Sequence, residues 1–358
     1  MFYREAGQFK TSYAADMAVM PIPQDRIGLG VILFIAAVII PWFGSSFLIQ
    51  AIMIPFLIFS LAAIGLNLLT GFTGLLSLGT GAFMGVGAYA CYKLTTYFPN
   101  VSILIWIIAS GFFSAAVGVL FGLPSLRIKG FYLAVATLAA QFFLSWLFIR
   151  QPWFYNYNAS GAIEVPTRQV FGVPITGATS TDTTRYFVVL GIVVAMTWLA
   201  SNLVHGRIGR TWMAVRDMDL AAELIGIRLL RTKLLAFAIS SFYSGVAGAL
   251  LVFLWYGSAE PAVFDVNLSF FILFMVIIGG LGSVTGSYFG AALIFILPIV
   301  LRYIPPKFGI PVHPATVEHV QNMIVGALIV LFLIVEPNGL ARLWQIGKQK
   351  LRVWPFPY

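Results

Sequence analysis

FLIQAIMIPFLIFSLAAIGLNLL, from Phe47 to Leu69, is twenty-three residues without a single charge. A helix of about 20 apolar residues crosses the ~30 Å hydrocarbon core of a bilayer, so this stretch reads as one such helix. Segments of the same kind recur at 27–43, 101–123, 131–149, 186–204, 234–256 and 319–335, which makes seven clear spans. Three more are irregular. Residues 74–92 are rich in glycine, and 268–301 is too long for one crossing but is broken by Gly279, Gly280 and Gly282 into 268–281 and 284–301. The expected fold is therefore an all-α polytopic membrane protein of about ten transmembrane helices.

Composition agrees with that reading. Of 358 residues, 60% are apolar and 9% charged, against about 25% charged in a soluble domain, which excludes a water-soluble globule and a disordered chain alike. The net charge of +9 does not gather into a groove that could track phosphates, so nucleic acid is not an expected partner and orientation in the membrane is. Ten spans would put both termini on one side together with Arg4, Lys10, Arg26, Arg127, Lys129, Arg207, Arg210, Arg216, Arg228, Arg231, Lys233, Arg342, Lys348, Lys350 and Arg352, leaving six of the 21 basic residues opposite. Fifteen against six sets both termini in the cytoplasm. The chain then divides into a cytoplasmic tail (1–26), six spans (27–204), a cytoplasmic connection (205–233), four spans (234–336) and a second cytoplasmic tail (337–358). The first tail carries no apolar run with a cleavage site and is expected to be retained. Cys91, the single cysteine, excludes an internal disulfide.

Function has few places to sit. GLNLLTGFTGLLSLGTGAFMGVGAYA, Gly65 to Ala90, gathers glycine where a lipid-facing helix gains nothing from it. Gly81 and Gly85, four apart, suit close helix packing. Gly71, Gly74, Gly79 and Gly81 could instead unwind the helix and line a translocation path, with Asn67, Thr70, Ser77 and Thr80 hydrogen-bonding either a substrate or a neighbouring helix. A second ladder, Gly282, Gly286 and Gly290, reads as a packing face.

The most polar stretch is HGRIGRTWMAVRDMDLAAELIGIRLLRTK, His205 to Lys233. It is expected to hold one amphipathic helix outside the bilayer, N-capped by Thr211 and ended by Gly226. Its apolar stripe would be Trp212, Val215, Met218, Ala222 and Ile225, beside a charged stripe of Arg216, Asp219 and Glu223. Asp217, Asp219 and Glu223 would be repelled by anionic lipid, so a protein partner fits this helix better than the headgroup plane, and the small Ala221 and Ala222 suit a cleft.

Nothing in the chain supplies energy or catalysis. No G-x-x-x-x-G-K-[ST] loop is present to cradle a nucleotide, and Glu260, Asp265 and Glu336 fall at span ends rather than inside as proton relays would. His313 and His319, six apart, do not share a helix face, so no metal site is expected. The external loop from Arg150 to Arg185 carries Trp153, Phe154, Tyr155 and Tyr157, which suit an interfacial anchor or the docking of a soluble partner. The Asn158–Ser160 sequon carries little information without a glycosylating compartment.

At these residues the chain resembles the inner-membrane permease subunits of bacterial branched-chain amino acid ABC importers, the high-affinity Leu/Ile/Val type, a family that also includes urea permeases. The resemblance runs from about residue 47 to Trp344. It rests on the Gly65–Ala90 stretch, LRIKGFYLAVATLA (Leu126–Ala139), GRTWMAVRDMDLAAELIGI (Gly209–Ile227), IGGLGSVTGSYFGAAL (Ile278–Leu293) and EPNGLARLW (Glu336–Trp344). It implies that the cytoplasmic helix is the coupling helix docking into an ATPase subunit, through Gly209, Arg210, Ala214, Arg216, Asp217, Ala221, Ala222, Glu223 and Gly226. Met213 stands where a basic residue is common and Met218 where a polar one is. Tyr157 to Gly161 replaces the usual Thr-Gly-Gly-Ser-like run. The implied assembly is a homologous second permease, two ATPases binding ATP and magnesium, and a periplasmic substrate-binding protein, importing branched-chain amino acids across the inner membrane by alternating access. The cofactors would sit on the ATPases, none on this chain. A urea or small-solute permease and an ATP-independent channel or secondary transporter are the alternatives.

Overall fold

The computed structural model describes residues 11–12, 23–126, 132–158, 161–170, 172–177, 179–307, 314–335 and 339–353. Arg4, Lys10, Arg127, Lys129, Ala159, Ser160, His313 and Glu336 lie outside the described residues. Among the described residues, seven helices are long and apolar enough to cross a membrane: Asp25–Phe43, Leu48–Thr73, Ile103–Ser125, Tyr132–Arg150, Asp182–His205, Leu229–Tyr256 and Val284–Arg302. The protein is thus an all-α polytopic membrane protein. Val284–Arg302 joins this set in place of the expected 319–335, where a shorter apolar run, His319–Phe332, lies within a helix.

Helix α1 (Pro23–Phe34) continues through a π-helical turn at Ile35–Ile39 to Phe43. Its apolar side chains, Ile27, Val31 and Phe34 among them, are exposed, the condition of a helix facing lipid. Helix α2 (Ile54–Thr73, preceded by π-helical Leu48–Met53) is the opposite case, buried almost all round, as is α9 (Leu229–Leu250, prolonged π-helically through Tyr256). A helix apolar on every face belongs in the centre of a bundle. Around these two stand α3 (Thr80–Tyr97), α4 (Ile103–Ser125), α5 (Tyr132–Arg150) and α6 (Asp182–His205). Outside the bundle lie α7 (Arg207–Asp217) and α8 (Asp219–Leu224), and the chain closes with α10 (Val266–Gly279), α11 (Val284–Lys307), α12 (Pro314–Val335) and α13 (Gly339–Val353).

Glycine lets α9 approach its neighbours. A β-carbon on Gly87 of α3 would overlap the Gly245 backbone, and one on Gly248 would overlap the Met84 carbonyl. With no hydrophobic drive between helices in lipid, such backbone proximity is what holds a bundle.

Two short antiparallel pairings decorate one end, which we term the loop end. β1 (Ile163–Glu164) pairs with β4 (Ser258–Ala259), and β2 (Gln169–Val170) with β3 (Val173–Pro174). Arg168 fastens this cover to α3 and the residues after it, donating to the Thr95 and Pro99 carbonyl oxygens at 2.5 and 2.8 Å. Lys93 hydrogen-bonds Asn156 and lies 4.3 Å from the Trp153 ring centroid. The aromatic loop residue Trp153 is therefore in contact with a cation as well as partly exposed. The other end carries α7, α8 and α13.

Candidate functional site

Two stretches of non-helical backbone enter the bundle and meet. Helix α2 stops at Thr73, where Gly74 turns left-handed (φ 70), and residues 75–79 are unwound before α3 starts at Thr80. The expected span 74–92 is therefore a helix only from Thr80 onward. From the loop end, the chain after Tyr256 descends through a 3₁₀ turn (Pro261–Phe264) to α10, N-capped by Asp265, whose Oδ1 accepts from the Leu268 N–H at 3.0 Å. Helix α10 has 14 residues, about 21 Å at 1.5 Å per residue, too short for a full crossing.

Gln141 joins the two stretches. It is the midpoint of α5, nine residues from Tyr132 and nine from Arg150, so its partners lie level with the middle of that helix. Its Oε1 accepts from the Ala82 N–H (2.7 Å) and the Ser269 hydroxyl (2.9 Å), and its Nε2 donates to the Phe264 carbonyl (2.7 Å). Ser269 Oγ accepts from the Gly81 N–H at 2.8 Å, and Thr137 Oγ1 from Leu78 N–H at 2.9 Å. Every one of these side chains is buried, as are Ser77 and Thr80. Irregular backbone inside a bundle must satisfy its polar groups within protein or along a wet path; here side chains of α5 and α10 take the Leu78, Gly81 and Ala82 N–H groups and the Phe264 carbonyl. The sequence signal that could have found them is the spacing of Thr137, Gln141 and Ser145 at every fourth residue of an otherwise apolar run; Ser269 carries no such signal.

The unwound stretch leads to a second junction, at the α7 end. Asn67 Nδ2 donates to the Gly280 and Ser283 carbonyls (3.2 and 2.9 Å) and to Ser287 Oγ (3.0 Å), while its Oδ1 accepts from Gly282 N–H (2.9 Å). Of the two roles left open for Asn67, the structure displays the hydrogen bonds to a neighbouring segment, and they occupy the whole amide. Gly71 faces the same turn so closely that a β-carbon would overlap Gly282 N, and Gly282 itself has φ 75. Gly286 and Gly290 continue inside the α10–α11 hairpin, where a β-carbon would strike the Gly279 and Met275 carbonyls. Gly81 abuts the Asp265 carbonyl (2.8 Å from a β-carbon placed there), whereas Gly85 meets the rings of Phe148 and Phe264 (2.9 and 3.1 Å).

Arg216 reaches this junction from outside the bundle. Its Nη1 donates to the Gly71 carbonyl at 2.9 Å, its Nη2 pairs with Asp217 at 2.9 Å, and its stem lies against Gly74. A cation at the C-terminal end of α2 also complements the partial negative charge of that helix end.

The external segment differs from the single helix expected over 211–226. Helix α7 begins at Arg207, after Gly206, and Thr211 sits inside it donating to the Ile208 carbonyl at 2.7 Å rather than capping. Met218 is extended (φ −160, ψ 96) and splits α7 from α8. The kink breaks the stripe: Trp212, Val215 and Ala222 are buried, but Met218 and Ile225 are 65% and 75% exposed. Gly226, at φ 90, ends α8, with Ile227 N–H bonded to the Ala222 carbonyl at 3.0 Å, the bond of a glycine C-cap. Gly209, pressed on the Val204 carbonyl, and Ala222 are turned inward; Arg210, Asp217, Ala221, Glu223 and Gly226 are exposed, and Ala214 is half-buried. Leu224, 89% exposed, extends an apolar surface rimmed by carboxylates. Beside α8 opens a cavity of about 950 Å³, lined by Leu75, Leu126, Leu133, Asp219, Glu223 and Arg231 among others. It reaches the unwound stretch at Leu75.

A family model described as branched-chain amino acid transport system / permease component matches residues 48–333. The chain is 29% identical over 303 residues to the high-affinity branched-chain amino acid transport system permease protein LivM of Salmonella typhimurium, covering 79% of this chain and 68% of that one. It is 24% identical over 335 residues to the probable branched-chain amino acid transport permease protein LivM of Methanocaldococcus jannaschii, covering 82% and 93%. It is 23% identical over 303 residues to the permease protein LivH of Salmonella typhimurium, covering 79% and 90%. No solved structure matches the chain.

Proposed function

Because the chain belongs to the branched-chain amino acid transport permease family, we propose that it is the membrane-spanning subunit of an ABC importer for branched-chain amino acids, driven by ATPases on separate subunits. The observation that carries the mechanism is Arg216. It ties an exposed, acid-rimmed pair of helices, α7 and α8, to the Gly71 carbonyl at the end of α2, one step before the unwound stretch that Gln141 holds.

Under this reading an ATPase docks on α8 and its neighbours Met218, Leu224 and Glu223. Movement of α7 then displaces Arg216 and pulls on the 74–79 stretch. Release of the Gln141 bonds to Ala82, Ser269 and Phe264 opens the middle of the bundle to one side, and the cavity reaching Leu75 is its cytoplasmic mouth. The polar backbone freed in that step is what a zwitterionic amino acid needs for its charged groups on the way through.

The meeting of α13 with the start of α1, where Lys348 Nζ lies 2.6 Å from Asp25 Oδ1, supports ten spans with both termini in the cytoplasm. The family's two kinds of relative support pairing with a homologous second permease subunit, and the exposed loop end suits a periplasmic binding protein. The inner membrane is the corresponding location.

Reconstitution tests this directly. Proteoliposomes holding this chain, its companion permease and the ATPases are expected to accumulate leucine only with ATP inside the ATPase compartment and binding protein on the other side. Uptake by this chain alone, without ATP, would sink the reading in favour of a channel or secondary transporter.

A further inference from the structure

The last helix, α13, GLARLWQIGKQKLRV, contains Arg342, Lys348, Lys350 and Arg352 and no carboxylate. At about 100° per residue, Leu340, Leu343, Trp344 and Gly347 share one arc, and Lys348 and Lys350 stand on its two flanks. Protein covers only part of that arc. Leu340 packs against the core and the Trp344 ring lies 5.8 Å from that of Phe289 on α11, yet Leu343 and Trp344 remain 48% and 56% exposed.

Its place in the molecule identifies the missing neighbour. At its start, Gly339 is pressed on the α10 end, 2.6 Å from the Ile278 carbonyl when a β-carbon is placed there. Further along, Lys348 pairs with Asp25, the first residue of the span Asp25–Phe43, none of whose apolar window is buried in protein. A helix lying across the end of a lipid-facing span sits where hydrocarbon gives way to headgroups. An apolar arc with tryptophan, flanked by lysines, suits that boundary. The contrast with α7 and α8 is chemical, for those carry three carboxylates and α13 carries none.

We propose that α13 is a binding site for anionic phospholipid headgroups, its apolar arc immersed at the membrane surface and its basic side chains drawing acidic lipid to the foot of α1, α10 and α11. This depends on the chain being embedded in a membrane and not on what it transports.

The full chain in nanodiscs of phosphatidylcholine, with or without phosphatidylglycerol, provides the test, read by hydrogen exchange over residues 339–353. Each basic side chain near an anionic surface strengthens binding about five-fold. Exchange is expected to slow in the anionic discs, and about 25-fold of that protection to vanish in the double variant Lys350→Gln, Arg352→Gln or in high salt. Both substitutions leave Lys348 and Asp25 themselves in place. Equal exchange in both lipids would overturn the proposal, as would protection that survives the double substitution or that arises only when ATPase subunits are added.

Discussion

Two amides do most of the polar work inside the bundle. Asn67→Ala would strand Gly282 N–H, two carbonyls and a hydroxyl; each buried polar group left unpaired costs about 1–3 kcal/mol, moderated in membranes to about 0.6–1.7 kcal/mol per bond. A loss of about 2 kcal/mol is expected, seen as a lower unfolding midpoint in detergent, and an unchanged midpoint would show that the turn at 280–287 holds without it. Gln141→Leu keeps the volume and removes the same kind of bonds from Ala82, Ser269 and Phe264. It is expected to cut substrate uptake more than ten-fold while the protein still assembles, and wild-type transport would remove Gln141 from the gate. Asn67 was conspicuous in the sequence as an amide among leucines, but its partners lie over 200 residues away and no local pattern announces them. Gln141 stands four residues from both Thr137 and Ser145, a polar stripe at helical spacing, but that spacing does not say which segment the stripe faces.

At the scale of elements, glycine spacing told which helices pack closely but not against what. Gly286 and Gly290 close a hairpin with α10, Gly282 faces Gly71 and Arg216 instead, and the backbone crossing at the centre of the bundle is made by Gly87, Gly245 and Gly248. Gly248→Leu would drive a side chain into Met84 and is expected to cost about 3 kcal/mol or more, read as loss of folded protein by gel filtration; Gly191→Leu, where a β-carbon would stand in open space, is the matching control and should be silent. The external helix was legible in its existence and its glycine stop at Gly226, but not in its start, which lies at Arg207 rather than after Thr211, nor in its break at Met218, because an extended residue between two helical turns leaves the apolar spacing intact. That break turns Met218, Leu224 and Ile225 outward, so Glu223→Arg beside them is expected to weaken co-purification with the ATPase at least about ten-fold without affecting membrane insertion. Unaltered co-purification would place docking elsewhere.

The whole molecule adds a test of sidedness. Cys91 is fully buried, so a maleimide that cannot cross membranes should ignore the native chain. It is expected to label Gln169→Cys at the loop end in intact cells with an opened outer membrane, and Gln349→Cys on α13 only after the inner membrane is permeabilised; the reverse pattern would invert the topology. The sequence by itself determined that this is a helical membrane protein, which stretches are apolar, where its charges gather and to which family its motifs belong, because hydropathy and motif spacing are local quantities that survive without coordinates. Only the tertiary structure decided that α10 starts level with the middle of α5, that the stretch after α2 is unwound beside it, and that Arg216 bridges an external helix to the end of α2. Each of those depends on hydrogen bonds between segments far apart in the chain, and such partners exist only once the backbones have come together.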